Sequence, residues 1–124
     1  MVELDPIARP RRALVVDDNV ANRYYAGKIL RQRDYDVTPA QGYYEALKVI
    51  SSTDVDLLLS DIRLGTGSGI VLARLAKNTQ PTLTVLLMTA YIDAEIDAGE
   101  SGWPVIRIPF GNRDLIKRLQ HLSS

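Results

Sequence analysis

Asp17, Asp18 and Asp61 are the residues whose type and spacing could do chemistry. Each follows a short apolar run: Ala13-Leu14-Val15-Val16 leads into Asp17-Asp18-Asn19, and Leu57-Leu58-Leu59-Ser60 leads into Asp61. A carboxylate at the carboxyl end of a buried strand sits where open α/β sheets bind and react. Three carboxylates at one mouth repel each other unless a cation or protons intervene. With no histidine or cysteine nearby, an oxygen-only set selects a hard ion, and two or three acids plus waters suit Mg²⁺. Such an ion can bridge a carboxylate to a phosphoryl oxygen and neutralise charge as phosphoryl transfer proceeds. A further apolar run, Leu83 to Met88, brings Thr89 to the same edge, where its hydroxyl can donate to a phosphoryl oxygen. The set suits capture of a phosphoryl group by an aspartate, and Asp61 is the candidate reacting group.

The elements that must position these residues follow from periodicity. Ala13–Val16 is continuous and β-branched, as expected of a strand covered on both faces. Val20 to Arg33 places Tyr25, Ala26, Ile29 and Leu30 at helical spacing, with Asp18 or Asn19 as N-cap and Asn22 on the same stripe. Asp36 to Ala40 is a short strand that Pro39 assigns to a sheet edge or a strand end. Tyr44 to Ile50 is a helix, and Val55 to Ser60 the third strand. Ser68 to Asn78 is a helix with Ile70, Val71, Leu75 and Ala76 facing inward and Pro81 at its exit. Leu83 to Met88 is the fourth strand, Ile92 to Ala98 a weak helix cut by Gly99 and Gly102, and Val105 to Ile108 the fifth strand. Asp114 to Leu122 is the last amphipathic helix. Strands alternating with helices through short connections give parallel pairing and right-handed crossovers. The fold class is α/β: a flavodoxin-like, doubly wound, five-stranded parallel sheet in the order 2-1-3-4-5, a (βα)5 arrangement. That order sets the first and third strands side by side, with Asp17-Asp18 and Asp61 at their carboxyl ends.

Composition limits the alternatives. With 124 residues and 46% hydrophobic content, the chain can bury a sizeable core as one domain. Zero cysteines exclude disulfides and thiolate metal sites. Fifteen basic and fifteen acidic residues cancel, so no basic footprint for nucleic acid or anionic membrane is expected. No apolar run reaches the roughly 20 residues of a membrane span, and the amino terminus lacks a signal-peptide core. The expectation is a soluble, cytoplasmic domain over residues 12–124 behind a flexible arm over residues 1–11, with Met1 read as a native start.

These residues resemble a known family. Leu14-Val15-Val16-Asp17-Asp18-Asn19, Ser60-Asp61-Ile62-Arg63-Leu64, Met88-Thr89-Ala90 and Ile108-Pro109-Phe110 stand in the order and approximate spacing of the receiver domain of two-component response regulators. The resemblance covers nearly the whole chain after Pro10, and the four motifs fall at the carboxyl ends of four predicted strands. It implies that Asp61 is a phosphoacceptor, taking its phosphoryl group from a histidine of a sensor or hybrid histidine kinase or a phosphotransfer protein. It implies that Asp18 binds Mg²⁺ directly, Asp17 mainly through water, and that the backbone carbonyl of Arg63 completes the protein ligands alongside Asp61. Thr89 looks like the switch hydroxyl and Ala90 like the small residue that leaves it room. A signalling domain of this kind is not an enzyme beyond self-phosphorylation and autodephosphorylation.

The sequence also departs from the family pattern. Ile108 stands where the family usually has a lysine, and a charge-assisted hydrogen bond of that kind is worth about 1.5 to 3 kcal/mol. Arg107 is an imperfect substitute, because adjacent strand residues point to opposite faces. Arg63 is better placed to reach in from its loop. Val105 occupies the position of the family's switch aromatic, and Gly65 that of a common proline. The segment from Thr89 to Pro109 looks about one turn short, so the fourth helix is expected to be stunted or irregular. Gly102-Trp103-Pro104-Val105-Ile106-Arg107 looks like the version found in receivers attached to or encoded with hybrid histidine kinases.

The leading expectation is a single-domain phosphoacceptor switch whose output is protein contact, phosphate relay or competition for a kinase. A degenerate receiver, acting as a phosphorylation-independent interaction or dimerisation module, is the alternative that Ile108 supports. A Mg²⁺-dependent phosphohydrolase would need an acid at position 63, where Arg63 stands. Gly65, Gly67 and Gly69 lack the third glycine of a dinucleotide fingerprint, since position 70 is Ile70, and read as a flexible active-site loop. His121, the only histidine, reads as a solvated residue near a helix end. Of Tyr24, Tyr25, Tyr43 and Tyr44, half are expected in the core and half on the surface, where they could contact a kinase or a second copy of the chain.

Overall fold

In the computed structural model, which describes residues 9–122, apolar runs and amphipathic stretches alternate as periodicity requires. In chain order the elements are β1 (Arg12–Val16), α1 (Val20–Arg31), β2 (Asp36–Ala40), α2 (Tyr43–Ser52), β3 (Leu57–Asp61), β4 (Arg63–Leu64) and β5 (Gly67–Ser68). They continue with α3 (Gly69–Thr79), β6 (Thr84–Thr89), α4 (Ile92–Ser101), β7 (Val105–Arg107) and α5 (Asn112–Leu122). Five parallel strands form one sheet in the order β2-β1-β3-β6-β7, which is the 2-1-3-4-5 order of a flavodoxin-like sheet once the small antiparallel hairpin β4/β5 is set aside. Pro39 lies in the edge strand β2, where its missing N–H costs no central pairing.

Strand alternation divides the core in two. Leu14, Val16, Leu58, Val85 and Leu87 meet the inner faces of α2, α3 and α4 on one side. Ala13, Val15, Leu57, Leu59, Leu86 and Met88 meet Ala26, Ile29 and Leu30 of α1 and Leu115 of α5 on the other. Truncating any of the fully buried leucines would cost about 2 to 5 kcal/mol.

Several local expectations are corrected. Helix α1 stops at Arg31, and Asp34 takes a positive φ of 67° while the Tyr35 N–H donates to the Leu30 carbonyl, a left-handed helix exit. Tyr25, expected inside, is 44% exposed and lies against Phe110 at 6.1 Å between ring centroids. In α3 the buried residues are Gly69, Leu72, Ala73 and Ala76, whereas Val71 and Leu75 are exposed. Gly69 sets that phase, because its Cα lies hard against the Asp61 carbonyl and leaves no room for a side chain. The stretch after Asp61 is the β4/β5 hairpin and not a loop without structure. Helix α4 is regular and passes through Gly99: Ala94 and Ala98 bury against the sheet, Asp93 and Glu95 suit its amino-terminal dipole, and Gly102, with φ 87°, closes it. Residues 1–8 of the expected arm lie outside the described residues; Arg9 follows them and pairs with Asp56 at 2.9 Å.

Candidate functional site

The register of the sheet brings the acids together. Val16 pairs with Ser60 across β1 and β3, so Asp17 and Asp61, one residue further along each strand, emerge side by side. Met88 pairs with Asp61, and Thr89 follows at the end of β6. One carboxylate oxygen each from Asp17, Asp18 and Asp61 can be chosen so that all three lie within 4.8 Å of one another.

Their environments differ. Asp17 is fully buried; its Oδ1 accepts from the Asn19 N–H at 2.9 Å, and its Oδ2 has no hydrogen-bond partner among the described residues. Burial pushes its carboxyl up, against the pull of hydrogen bonds from Asn19 and Asn22 and of the Arg23 charge, with Asp18 adding repulsion. Asp18 is exposed. Asp61 is partly buried, and its Oδ1 accepts from the Arg63 N–H at 3.3 Å. Its carboxyl is pushed up to about 7, first by burial and then by the charge of Asp17, only partly offset by the Arg63 N–H. A buried carboxylate oxygen with no donor, beside a second acid driven towards protonation, is an oxygen cage that lacks positive charge. A hard divalent ion fits that donor set.

The switch and cation positions fall as follows. Thr89 is fully buried, and its Oγ1 accepts from the Tyr91 N–H at 3.1 Å; the neighbouring Ala90 is exposed. Val105 is half-buried at the start of β7, packed against the cluster under α2, α3 and α4. Ile108 is half-buried against the opposite cluster. The Arg63 guanidinium ion-pairs with Asp93 and lies over the Tyr91 ring, 4.5 Å from its centroid. Arg107 holds Glu95 through Nε at 3.1 Å and Nη2 at 2.8 Å. In this conformation both arginines are spent on α4.

Sequence reasoning missed three supporting residues. Arg23 donates to the Asp17 carbonyl at 2.7 Å from one turn into α1, a distance along the helix that its position six residues beyond Asp17 could have suggested. Thr66, in the hairpin turn, accepts from the Tyr43 N–H at 3.0 Å and so caps α2, whose own N-cap is Gly42. Gly69 lies beneath the Asp61 carbonyl. Beside the acids, a cavity of about 330 Å³ is lined by Asp18, Gln41, Gly42, Tyr44, Glu45, Gly65 and Thr66. A wider groove of about 690 Å³, between β7 and α5, lies away from the acids, so the charges and not the volume mark the site.

Comparison with known proteins agrees with this geometry. The chain is 35% identical over 80 residues, 64% of its length, to the CAI-1 autoinducer sensor kinase/phosphatase CqsS of Vibrio cholerae, covering 12% of that protein. It is 35% identical over 91 residues, 72% of its length, to the transcriptional regulatory protein ZraR of Klebsiella oxytoca, covering 20% of that protein. The chain thus spans about a fifth or less of these curated relatives. A CheY-like receiver domain protein from Methanospirillum hungatei superposes with a TM-score of 0.81 at 27% identity, over 90% of this chain and 92% of that one. The response regulator TrrA of Thermotoga maritima, solved in complex with Mg²⁺ and BeF, superposes with a TM-score of 0.81 at 26% identity, over 90% and 98% of the two chains. The profile of the response regulator receiver domain matches residues 13–120, the span that holds the sheet and its acidic edge, and the chain belongs to that family.

Proposed function

We propose that this chain accepts a phosphoryl group on Asp61 from a phosphohistidine of a sensor or hybrid histidine kinase or of a phosphotransfer protein, in the cytoplasm, and that the modification changes its protein contacts. Phosphorylation of this kind is general for the family, whose members are signalling domains that work with histidine kinases and phosphotransfer proteins. The observation that carries the reading is the meeting of Asp17, Asp18 and Asp61, with the buried Asp17 Oδ2 left without a donor.

Asp17, Asp18, Asp61 and the Arg63 carbonyl would hold Mg²⁺, which supplies charge neutralisation for the incoming phosphoryl oxygens. A carboxylate oxygen of Asp61 attacks phosphorus; the P–O bond forms, the P–N bond to the donor imidazole breaks, and the electron pair leaves with the imidazole nitrogen. The Thr89 hydroxyl, held at the adjacent strand end, donates to a phosphoryl oxygen, and Ala90 leaves space for that approach. Arg63 and Arg107 are the cations on hand where Ile108 offers none.

Incubation with Mg²⁺ and acetyl phosphate tests this reading. A mass increase and a phosphate-affinity gel shift that vanish in Asp61→Asn are expected. An unmodified wild-type chain would favour the second reading, a degenerate receiver that works as an interaction or dimerisation module. The packing of Ile108 into the apolar cluster supports that reading.

A further inference from the structure

Arg63 touches both ends of a possible signal path. Its backbone N–H donates to Oδ1 of Asp61, and its side chain reaches the first turn of α4, pairing with Asp93 and covering the Tyr91 ring. Tyr91 is the N-cap of α4, and its own N–H is held by the Thr89 hydroxyl. The amino-terminal turn of α4, seated on the sheet by Ala94, is thus tied to two groups beside Asp61: one hydroxyl and one guanidinium. Two other carriers are missing from this chain, since Val105 has no ring to rotate and Ile108 no charge to offer.

The Arg63–Asp93 pair is also easy to exchange. Its side chains are 47% and 73% exposed, and an ion pair open to water holds weakly. A phosphoryl group brings nearly two negative charges and several acceptor oxygens. A guanidinium binds such a group in a fork that one exposed carboxylate cannot match.

We propose that Arg63 is a two-position residue: in the unmodified chain it latches α4 through Asp93 and Tyr91, and on phosphorylation of Asp61 its guanidinium moves to the phosphoryl oxygens and releases that turn. This rests on the phosphoacceptor reading and extends it to the route by which the site reaches its surface. The exchange removes the counter-charge from Asp93 and the cation from the Tyr91 ring together. Arg107 keeps its hold on Glu95, two residues beyond Asp93 in the same turn, so that turn shifts and does not detach. The surface so altered carries exposed Tyr91, Ile92 and Ile96.

The test is a titration of the full chain with beryllofluoride in the presence of Mg²⁺, followed by amide and arginine side-chain NMR shifts. In the wild type, amides of residues 61–65 and of Tyr91–Glu95 should move together with the Arg63 Nε–H. In Arg63→Gln the midpoint should weaken roughly tenfold. At saturation of that variant, the amides near Asp61, and that of Tyr91 on the Thr89 hydroxyl, should still move while those of Asp93–Glu95 stay. Asp93→Asn, which removes the competing carboxylate from an exposed position, should tighten binding several-fold in the wild type and leave the Arg63→Gln chain unchanged. Movement of Asp93–Glu95 at saturation in Arg63→Gln, or an Asp93→Asn midpoint equal to wild type, would overturn the exchange while leaving the phosphoacceptor reading intact. No shift near Asp61 in the wild type would overturn both.

Discussion

Gly69 lies so close under Asp61 that a Cβ added to it would come within 2.1 Å of the Asp61 carbonyl oxygen. The start of α3 and the end of β3 are thus packed backbone to backbone, and the acid's position depends on a residue with no side chain. Gly69→Ala is expected to lose about 2 to 4 kcal/mol of stability, because neither backbone can yield without breaking the strand end. Its opposite is Gly99→Ala, inside α4 with nothing within 4 Å of the added methyl, which should gain about 0.5 to 1 kcal/mol. Chemical denaturation of the two variants side by side checks the contrast.

The acidic edge makes stability depend on pH in an unusual direction. The Asp61 carboxyl stands at about 7 in the folded chain, against about 4 when unfolded. Between those values the folded chain holds a proton that the unfolded chain has released. The contribution is therefore fully present below about pH 4 and is lost as pH rises through 7. Raising the pH from about 5 to about 8 should lower the unfolding free energy of metal-free protein by about 1 to 3 kcal/mol, and its Tm with it, once Asp61's remaining contact with water is discounted. Asp17, shifted the same way by burial, adds to the trend. Calorimetry should show the slope flattened in Asp61→Asn and reversed by saturating Mg²⁺, which binds the ionised carboxylates.

Ile108→Lys restores an ammonium to the place where the family usually carries one. Phosphoryl-mimic binding should tighten about tenfold, since a charge-assisted bond is added. The same change withdraws a half-buried side chain from the cluster beneath α1 and α5, so stability should fall by about 1 kcal/mol. Calorimetric titration with beryllofluoride and Mg²⁺ measures the first effect and thermal melting the second. Unchanged affinity would show that another cation already fills the role.

Gln80 supports the site from the far end of the sheet. Its amide donates to the Ile50 and Thr53 carbonyls at 2.8 and 2.7 Å, and its oxygen accepts from the Val55 N–H at 2.7 Å. One side chain thus closes the α2–β3 connection that leads to Asp61. Gln80→Ala leaves three backbone groups without their partner, and a loss of about 2 to 3 kcal/mol is expected by denaturant unfolding, with Mg²⁺ affinity retained.

The sheet order and the meeting of the acids were legible because both depend on strand ends, and apolar runs closing on Asp17 and Asp61 mark those ends directly. Asp36–Ala40 was read to the residue because Pro39 and its polar neighbours betray an edge. The phase of α3 was not legible: Ile70, Val71 and Leu75 outweigh Ala73 in any hydrophobic count, yet contact between Gly69 and Asp61 decides which side faces the sheet. Helix α4 was underestimated for a related reason, since its inward face is made only of Ala94 and Ala98. The partners of Arg63 and Arg107 were hidden because Asp93 and Glu95 are 30 and 12 residues away.

The proline in β2 also governs how copies of the chain can meet. The outer rim of the sheet on that side runs through Asp36, Thr38 and Pro39, all exposed, and at Pro39 there is no amide hydrogen to offer a docking strand. Growth of the sheet by annexing a neighbour's backbone is blocked there. That rim therefore leaves only side chains, and no ladder of backbone amides, for a neighbouring molecule to meet.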